Sequence, residues 1–158
     1  MIKIVAVGKI KEKSLCQQIE EYVKRLKSFT KLEIIEVADE MAPQQNSDAQ
    51  NEQVKTKEGE RILSKIKEQE YVILLDLWGE MLSSEKFAKK LEQLQIYQSS
   101  QITFVIAGSL GPGKNVYQRA NYCWKLSDLT FTHQMTRILV LEQIYRAYMI
   151  QHNNPYHK

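Results

Sequence analysis

The chain has 158 residues, 43% of them hydrophobic, and a formal net charge of +3, which suits a single domain over residues 1–158 with a real core and calls for no second. Its two cysteines, Cys16 and Cys123, show neither CxxC nor paired metal-ligand spacing, arguing against a disulfide framework or a metal site and for a reduced, cytoplasmic protein. No apolar run approaches the ~20 residues of a membrane span, and the opening stretch Ile2–Val7 is too short for a signal peptide, so a soluble protein is expected.

Taken in order, the periodicity alternates strands and helices. Ile2–Val7 reads as a strand closed by Gly8, and residues 14–28 as a helix with Ser14 as N-cap and Leu15, Ile19, Tyr22, Val23 and Leu26 on one stripe. Leu32–Val37 is a second strand. Residues 38–51 are polar, contain Pro43 and lack apolar rhythm, which reads as a mobile loop. A helix over 53–67 turns Val54, Ile62, Leu63 and Ile66 inward. Tyr71–Asp76 is the strongest buried-strand signal, a continuous apolar run covered on both faces, and residues 77–80 turn the chain. A helix over 84–94, a strand over 102–107, a short helix over 116–121, a strand over 123–127 and a helix over 133–151 complete the pattern. This order predicts an α/β domain with a mainly parallel sheet flanked by helices.

Charge is unevenly placed. Residues 1–31 hold eight Lys or Arg against three Glu, a balance of +5, which leaves −2 for the other 127. Lys9, Lys11, Lys13, Lys24 and Arg25, with Lys27 and Lys31, could meet RNA phosphates; an ordinary solvated helix face accounts for the pattern equally well.

Three strand ends offer loops: 75–79, 107–113 and 126–132. Converging, they would form a pocket for a flat ligand recognised by backbone groups; three unrelated surface turns are the alternative. The run Gly108–Asn115 nearly matches GxxxxGK[ST], but Asn115 stands where a hydroxyl must hold magnesium, which leaves a nucleotide hydrolase as a weak rival. The last helix carries two i,i+4 pairs, His133 with Arg137 and Glu142 with Arg146, the second of which has an ordinary structural reading. The dipole at the N-terminus of that helix favours a neutral His133. Ile138, Leu139, Val140, Leu141, Ile144, Tyr145, Tyr148 and Met149 cover more than one stripe, as expected if the helix is buried both on its own domain and against another subunit. A tail of Asn154-Pro155-Tyr156-His157-Lys158 then concentrates reactive groups where chain ends usually fray.

Residues 2–9 (IKIVAVGK), 57–63 (KEGERIL), 104–111 (FVIAGSLG), 129–134 (LTFTHQ), 142–147 (EQIYRA) and 155–158 (PYHK) occur in an order that resembles the pseudouridine methyltransferases of the large ribosomal subunit, in the SPOUT or trefoil-knot superfamily. The resemblance spans nearly the whole chain. It implies methyl transfer from S-adenosylmethionine to N3 of a pseudouridine in 23S ribosomal RNA within the assembled ribosome, a homodimer, and a knotted C-terminal half that the general avoidance of knots would not suggest. It places the cofactor at Leu75, Ala107, Gly108, Gly111, Leu126, Ser127, Asp128, Leu129, Thr130 and Phe131, and implies that the tail completes the site from the partner subunit. His157 is then the favoured proton acceptor, since imidazole titrates near neutrality, Tyr156 orients or stacks on the base, and Arg137, His157 and Lys158 meet charge on its carbonyls. Glu142 is counted with them through its motif. Ala107 stands where the family has glycine, and Thr132 where proline precedes the histidine; Lys158 keeps the charge of the family's arginine without its planar fork. A non-catalytic ribosome-binding module remains the other rival.

Overall fold

The computed structural model describes residues 1–158 except 43 and 46. Strand and helix alternate as β1 (Ile2–Val7), α1 (Lys13–Leu26), β2 (Leu32–Val37), α2 (Asp48–Leu63), β3 (Tyr71–Met81), α3 (Ser84–Tyr97), β4 (Ile102–Ile106), α4 (Lys114–Arg119), β5 (Tyr122–Lys125) and α5 (His133–Gln151). The strands form one five-stranded sheet in the order β2-β1-β4-β3-β5, and every registered pair is parallel.

Period-two alternation sends the strand residues to two cores. Ile2, Ile4 and Ala6 of β1 meet Leu26 of α1, Phe87 and Leu91 of α3, and Val140, Leu141 and Ile144 of α5. Val5 and Val7 face the other way, onto Ile62 of α2 and Val116 of α4. Both faces are covered, which is why β1 and β4 read as apolar runs broken only by Lys3 and Thr103. The edge strand β2 exposes Glu33 and Glu36, and the opposite edge, β5, is only four residues long.

Several boundaries differ from the periodicity, each for a local reason. Helix α1 starts at Lys13 behind Glu12, so Ser14 lies in its first turn and caps nothing. Helix α2 starts at Asp48, not Gln53: Ser47 Oγ accepts the Gln50 N–H while the Gln50 side chain accepts the Ser47 N–H, a reciprocal capping box that needs no apolar rhythm. The expected loop therefore ends before Asp48, and Pro43 lies outside the described residues. Helix α3 runs on to Tyr97, and α4 begins at Lys114 behind Gly113.

The largest difference lies in β3. Its register pairs Leu75 with Trp124 and then, after an irregularity, Glu80 with Trp124 and Met81 with Lys125. The expected turn at 77–80 is thus an outward excursion of a strand that returns to the same partner. Gly79 makes the return possible, because a Cβ there would sit 2.6 Å from the Cys123 carbonyl oxygen.

At the amino ends of the strands, Lys3 Nζ donates to Glu70 Oε1 at 2.6 Å and to the Lys65 carbonyl at 2.9 Å, and Thr103 Oγ1 donates to Glu70 Oε2 at 2.5 Å. Burial opposes the charge on Glu70, and these bonds outweigh it and hold the carboxyl below its ordinary pKa. That edge is closed by its own side chains; the carboxyl edge is open.

Candidate active site

A cavity of about 650 Å³ opens at the carboxyl ends of β3, β4 and β5, where open parallel sheets receive ligands. All three expected loops converge on it. Leu75 and Asp76 come from β3, Ala107, Gly108 and Gly111 from the loop after β4, and Leu126, Ser127, Leu129, Thr130 and Phe131 from the loop after β5. Asp128 is the exception among the residues expected to hold a cofactor: it does not line the cavity, and its carboxylate takes the Lys125 ammonium at 2.6 Å.

The wall is poor in free charge. Lys55 and Lys125 are its two lysines, and Lys125 is spent on Asp128. Asp76 accepts the Tyr117 hydroxyl at 2.8 Å; burial and that carboxylate push the phenol pKa well up, so Tyr117 stays a neutral donor. Such a wall lacks the cations that a triphosphate requires. The glycine run is also committed elsewhere: Gly111 N–H donates to the Gly108 carbonyl at 3.0 Å, and the Asn115 amide is bound to Thr56 O and the Val116 N–H. The geometry gives no support to a phosphate-binding loop.

His133 begins α5, behind a Thr132 cap whose hydroxyl accepts the Met135 N–H. Its pKa is lowered, first by burial and then by the nearby Arg137 charge, with Asp39 opposing. The neutral imidazole expected from the helix dipole is thus held chiefly by desolvation. Beside it a recess of about 120 Å³ is lined by Val7, Gly8, Asp39, Glu58 and His133, and shares Gly108 with the larger cavity.

Glu58 went unremarked as a functional group in the sequence. It is 6% exposed, one oxygen accepts the Glu40 N–H at 3.0 Å, and a Cβ on Gly108 would come within 2.9 Å of the other. Burial, reinforced by Asp39 and Glu40, raises its pKa against the opposing Glu40 N–H and Arg61. The folded chain therefore keeps a proton that the unfolded chain releases above about pH 4.3, so this group lowers stability as pH climbs through that window. Glu58→Gln is expected to raise the urea midpoint at pH 8 and leave it nearly unchanged at pH 4. Equal shifts at both values would count against a titrating carboxyl.

Arg137 is buried and paired within its own chain. It is 2% exposed, donates through Nη1 to Glu36 Oε2 at 2.6 Å and through Nη2 to the Gly8 carbonyl at 3.1 Å, and is absent from the cavity wall. The guanidinium ties α5 to the ends of β1 and β2.

The tail docks on its own chain. Tyr156 donates to Glu142 Oε1 at 3.1 Å, and its ring packs edge-on against Tyr145 at 4.9 Å and beneath the Arg146 guanidinium at 4.8 Å. Burial and Glu142 push its phenol up to about 12, so it donates rather than ionises. Arg146 grips Glu142 through Nε at 3.0 Å and Nη2 at 2.6 Å. It also approaches His157 Nδ1 at 3.1 Å, while His157 Nε2 meets Glu85 Oε1 at 2.8 Å. Because arginine can only donate, Nδ1 accepts and Nε2 carries the proton. Glu142 and Arg146 form the i,i+4 pair that the sequence offers and also seat the tail. Lys158 is exposed at the end.

This seat is remote from the cavity of the same chain. The cavity meets α5 at His133, Gln134 and Thr136, and at ~1.5 Å per residue Glu142 and Arg146 lie roughly 9 and 15 Å beyond Thr136 along the helix. No tail residue lines the cavity. On the same helix Ile138, Leu139 and Tyr145 stay half-buried, so part of the broad apolar surface remains uncovered. The basic segment divides likewise: exposed Lys9, Lys11 and Lys13 sit beyond the carboxyl end of β1, whereas Lys24 and Arg25 lie at the far end of α1, with Arg25 bound to Glu21 at 3.1 Å.

Among the described residues no helix is long and apolar enough to cross a membrane, and no group of three His, Cys, Asp or Glu could hold a metal.

Comparison with known proteins places this geometry. The profile of a family described as predicted SPOUT methyltransferase matches residues 1–157. The chain is 54% identical over 157 residues to the ribosomal RNA large subunit methyltransferase H of Enterococcus faecalis and 52% identical to the protein of that name from Streptococcus gordonii, each match covering 99% of both chains. In fold it is similar to the crystal structure of a tRNA (m1G37) methyltransferase from Aquifex aeolicus, with a TM-score of 0.53 and 13% identity over 92% of this chain and 69% of that one.

Proposed function

The chain belongs to the SPOUT methyltransferase family, and from that premise we propose that it methylates N3 of a pseudouridine in 23S ribosomal RNA, using S-adenosylmethionine, on the assembled ribosome and as a homodimer. The observation that carries this reading is the charge-poor cavity built from three strand-end loops. Its full-length likeness to ribosomal RNA methyltransferases supports the choice of substrate. The knotted path of the C-terminal half goes with the same proposal.

The donor set suits that cofactor. Leu75, Ile106, Ala107 and Leu126 offer apolar wall to a flat ring, the hydroxyls of Ser109, Ser127 and Thr130 lie among them, and Asp76 supplies a carboxylate suited to a ribose hydroxyl or a cationic group. Gly108 admits a close backbone approach beside Glu58. The methyl of Ala107 narrows the wall without removing a backbone donor or acceptor. S-adenosylmethionine, when bound, supplies an electrophilic methyl on a sulfonium.

The protein's own work is positioning and proton handling. The imide N3 carries a proton that must leave, and holding the base in a near-attack geometry contributes up to ~7–11 kcal/mol. His157 is the acceptor: its Nδ1 lone pair, engaged by Arg146 in the docked tail, is the basic site it brings. Tyr156, neutral at working pH and fixed by its hydroxyl on Glu142, orients the base, and Lys158 faces the charge that develops on the carbonyls. Since the tail sits far from the cavity of its own chain, the partner subunit's tail completes each site. Lys9, Lys11 and Lys13 flank the same sheet edge and meet RNA phosphate.

Mass spectrometry of 23S ribosomal RNA from cells with and without the protein tests this directly. Loss of one methyl from one pseudouridine, restored by the purified protein with S-adenosylmethionine, is expected. An unchanged methylation pattern would overturn the proposal.

A further inference from the structure

Trp78 is 88% exposed, an unusual state for the largest side chain. It stands on the excursion of β3 at the wall of the cavity. The chain has two tryptophans, and the other is treated in the opposite way: Trp124 is 3% exposed and stacks on Phe87 at 4.2 Å with rings 6° from parallel. Among the described residues no ring or cation packs on the Trp78 indole, whereas Trp124, Tyr122 and Tyr156 all have such partners.

The backbone holds Trp78 there firmly. Pairing of Leu75 with Trp124 anchors one foot of the excursion, and pairing of Glu80 and Met81 with β5 anchors the other. Gly79 presses its return onto the Cys123 carbonyl. A strand that leaves and rejoins one partner within a few residues gives its apex little freedom, so an indole there is presented at low ordering cost. Exposed aromatic side chains on a fixed base are how proteins stack unpaired bases.

Resting on the methyltransferase reading, we propose that Trp78 is the platform on which a base of the acceptor RNA stacks at the cavity mouth, and so helps to set which nucleotide is presented. Trp78 is a positioning residue in this role and takes no part in the proton transfer. Leu129, 70% exposed on the lining of the same cavity, gives the splayed strand an apolar edge.

Two measurements test it. Titrating a Trp124→Phe variant with a short single-stranded uridine-rich RNA is expected to quench the remaining Trp78 emission, and titrating it with S-adenosylmethionine alone is expected to leave that emission unchanged. In turnover on ribosomes from cells lacking the protein, Trp78→Ala is expected to raise the acceptor KM about 5- to 150-fold, the span that base–aromatic stacking covers on alanine substitution. Trp78→Phe should restore most of it, with cofactor affinity by calorimetry constant throughout. An emission change on cofactor alone would make the indole a cofactor cover, and a Trp78→Ala variant that sediments as a lighter species would make it a subunit contact. Either result, or RNA that leaves the emission untouched, overturns the proposal. Quenching by RNA in a protein that methylates nothing would preserve the stacking platform while sinking the methyltransferase reading.

Discussion

Removing Tyr156–Lys158 is expected to abolish methyl transfer while leaving S-adenosylmethionine binding intact. The tail supplies no wall to the cavity, so calorimetry should find the cofactor affinity of the shortened chain unchanged. The same deletion removes the imidazole, the neutral phenol and the terminal cation. Positioned acid–base groups contribute about 10²–10⁴-fold, and loss of base orientation adds to that. The contacts given up, Tyr156 with Glu142 and His157 with Glu85, involve no residue of the fully buried core, so the fold should survive. His157→Ala isolates the acceptor and Tyr156→Phe the orienting hydroxyl. A mixing experiment separates the two possible origins of the tail. A shortened copy combined with a full-length Ala107→Phe copy, whose cavity is blocked, should regain activity only if a tail serves the cavity of its neighbour. Unaltered turnover by the shortened protein would remove the tail from the mechanism, and silence of the mixture would return it to its own chain.

Glu36→Gln should be the most damaging of the conservative changes to stability. The Arg137 guanidinium is 2% exposed and rests on Glu36 at 2.6 Å and on the Gly8 carbonyl. Its Nε has no partner among the described residues. Neutralising Glu36 strands a buried cation. Breaking buried pairs costs ~3–5 kcal/mol, and the partial exposure of Glu36 places this one at the low end, roughly 3 kcal/mol. The double variant Glu36→Gln with Arg137→Met should be more stable than Glu36→Gln alone, because it removes the stranded charge as well. Urea midpoints of the three variants decide it. A double variant that falls below both single ones would show that packing around the guanidinium, rather than its charge, holds the end of β1 to α5.

The strands were legible in the sequence because β3 opens on a continuous apolar run and the others are mostly apolar, a pattern that a sheet covered on both faces imposes. Convergence of the three strand-end loops followed from the parallel order. What escaped was set by pairing at a distance or by polar caps. The start of α2 depends on Ser47 and Gln50, a signal present in the letters but unaccompanied by apolar rhythm. The return of β3 to Trp124 depends on a strand more than forty residues downstream, and a Leu-Trp-Gly-Glu segment after an apolar run looks like a turn whether or not the chain comes back. Arg137 was expected, through the resemblance, to meet charge on the base carbonyls; only the meeting of β1, β2 and α5 shows its guanidinium paired with Glu36. Asp128 lay within the right loop, but Lys125, three residues before it, draws its carboxylate away.

The sheet margins bear on how two copies can meet. On one side, β2 presents the carboxylate of Glu33 to solvent, and on the other β5 ends after four residues. Neither offers a long, flat, uncharged row of amides onto which a foreign strand could zip. Ribbon-to-ribbon growth into larger aggregates is thereby discouraged, and any pairing of protomers is channelled to helical faces, where it can stop at two.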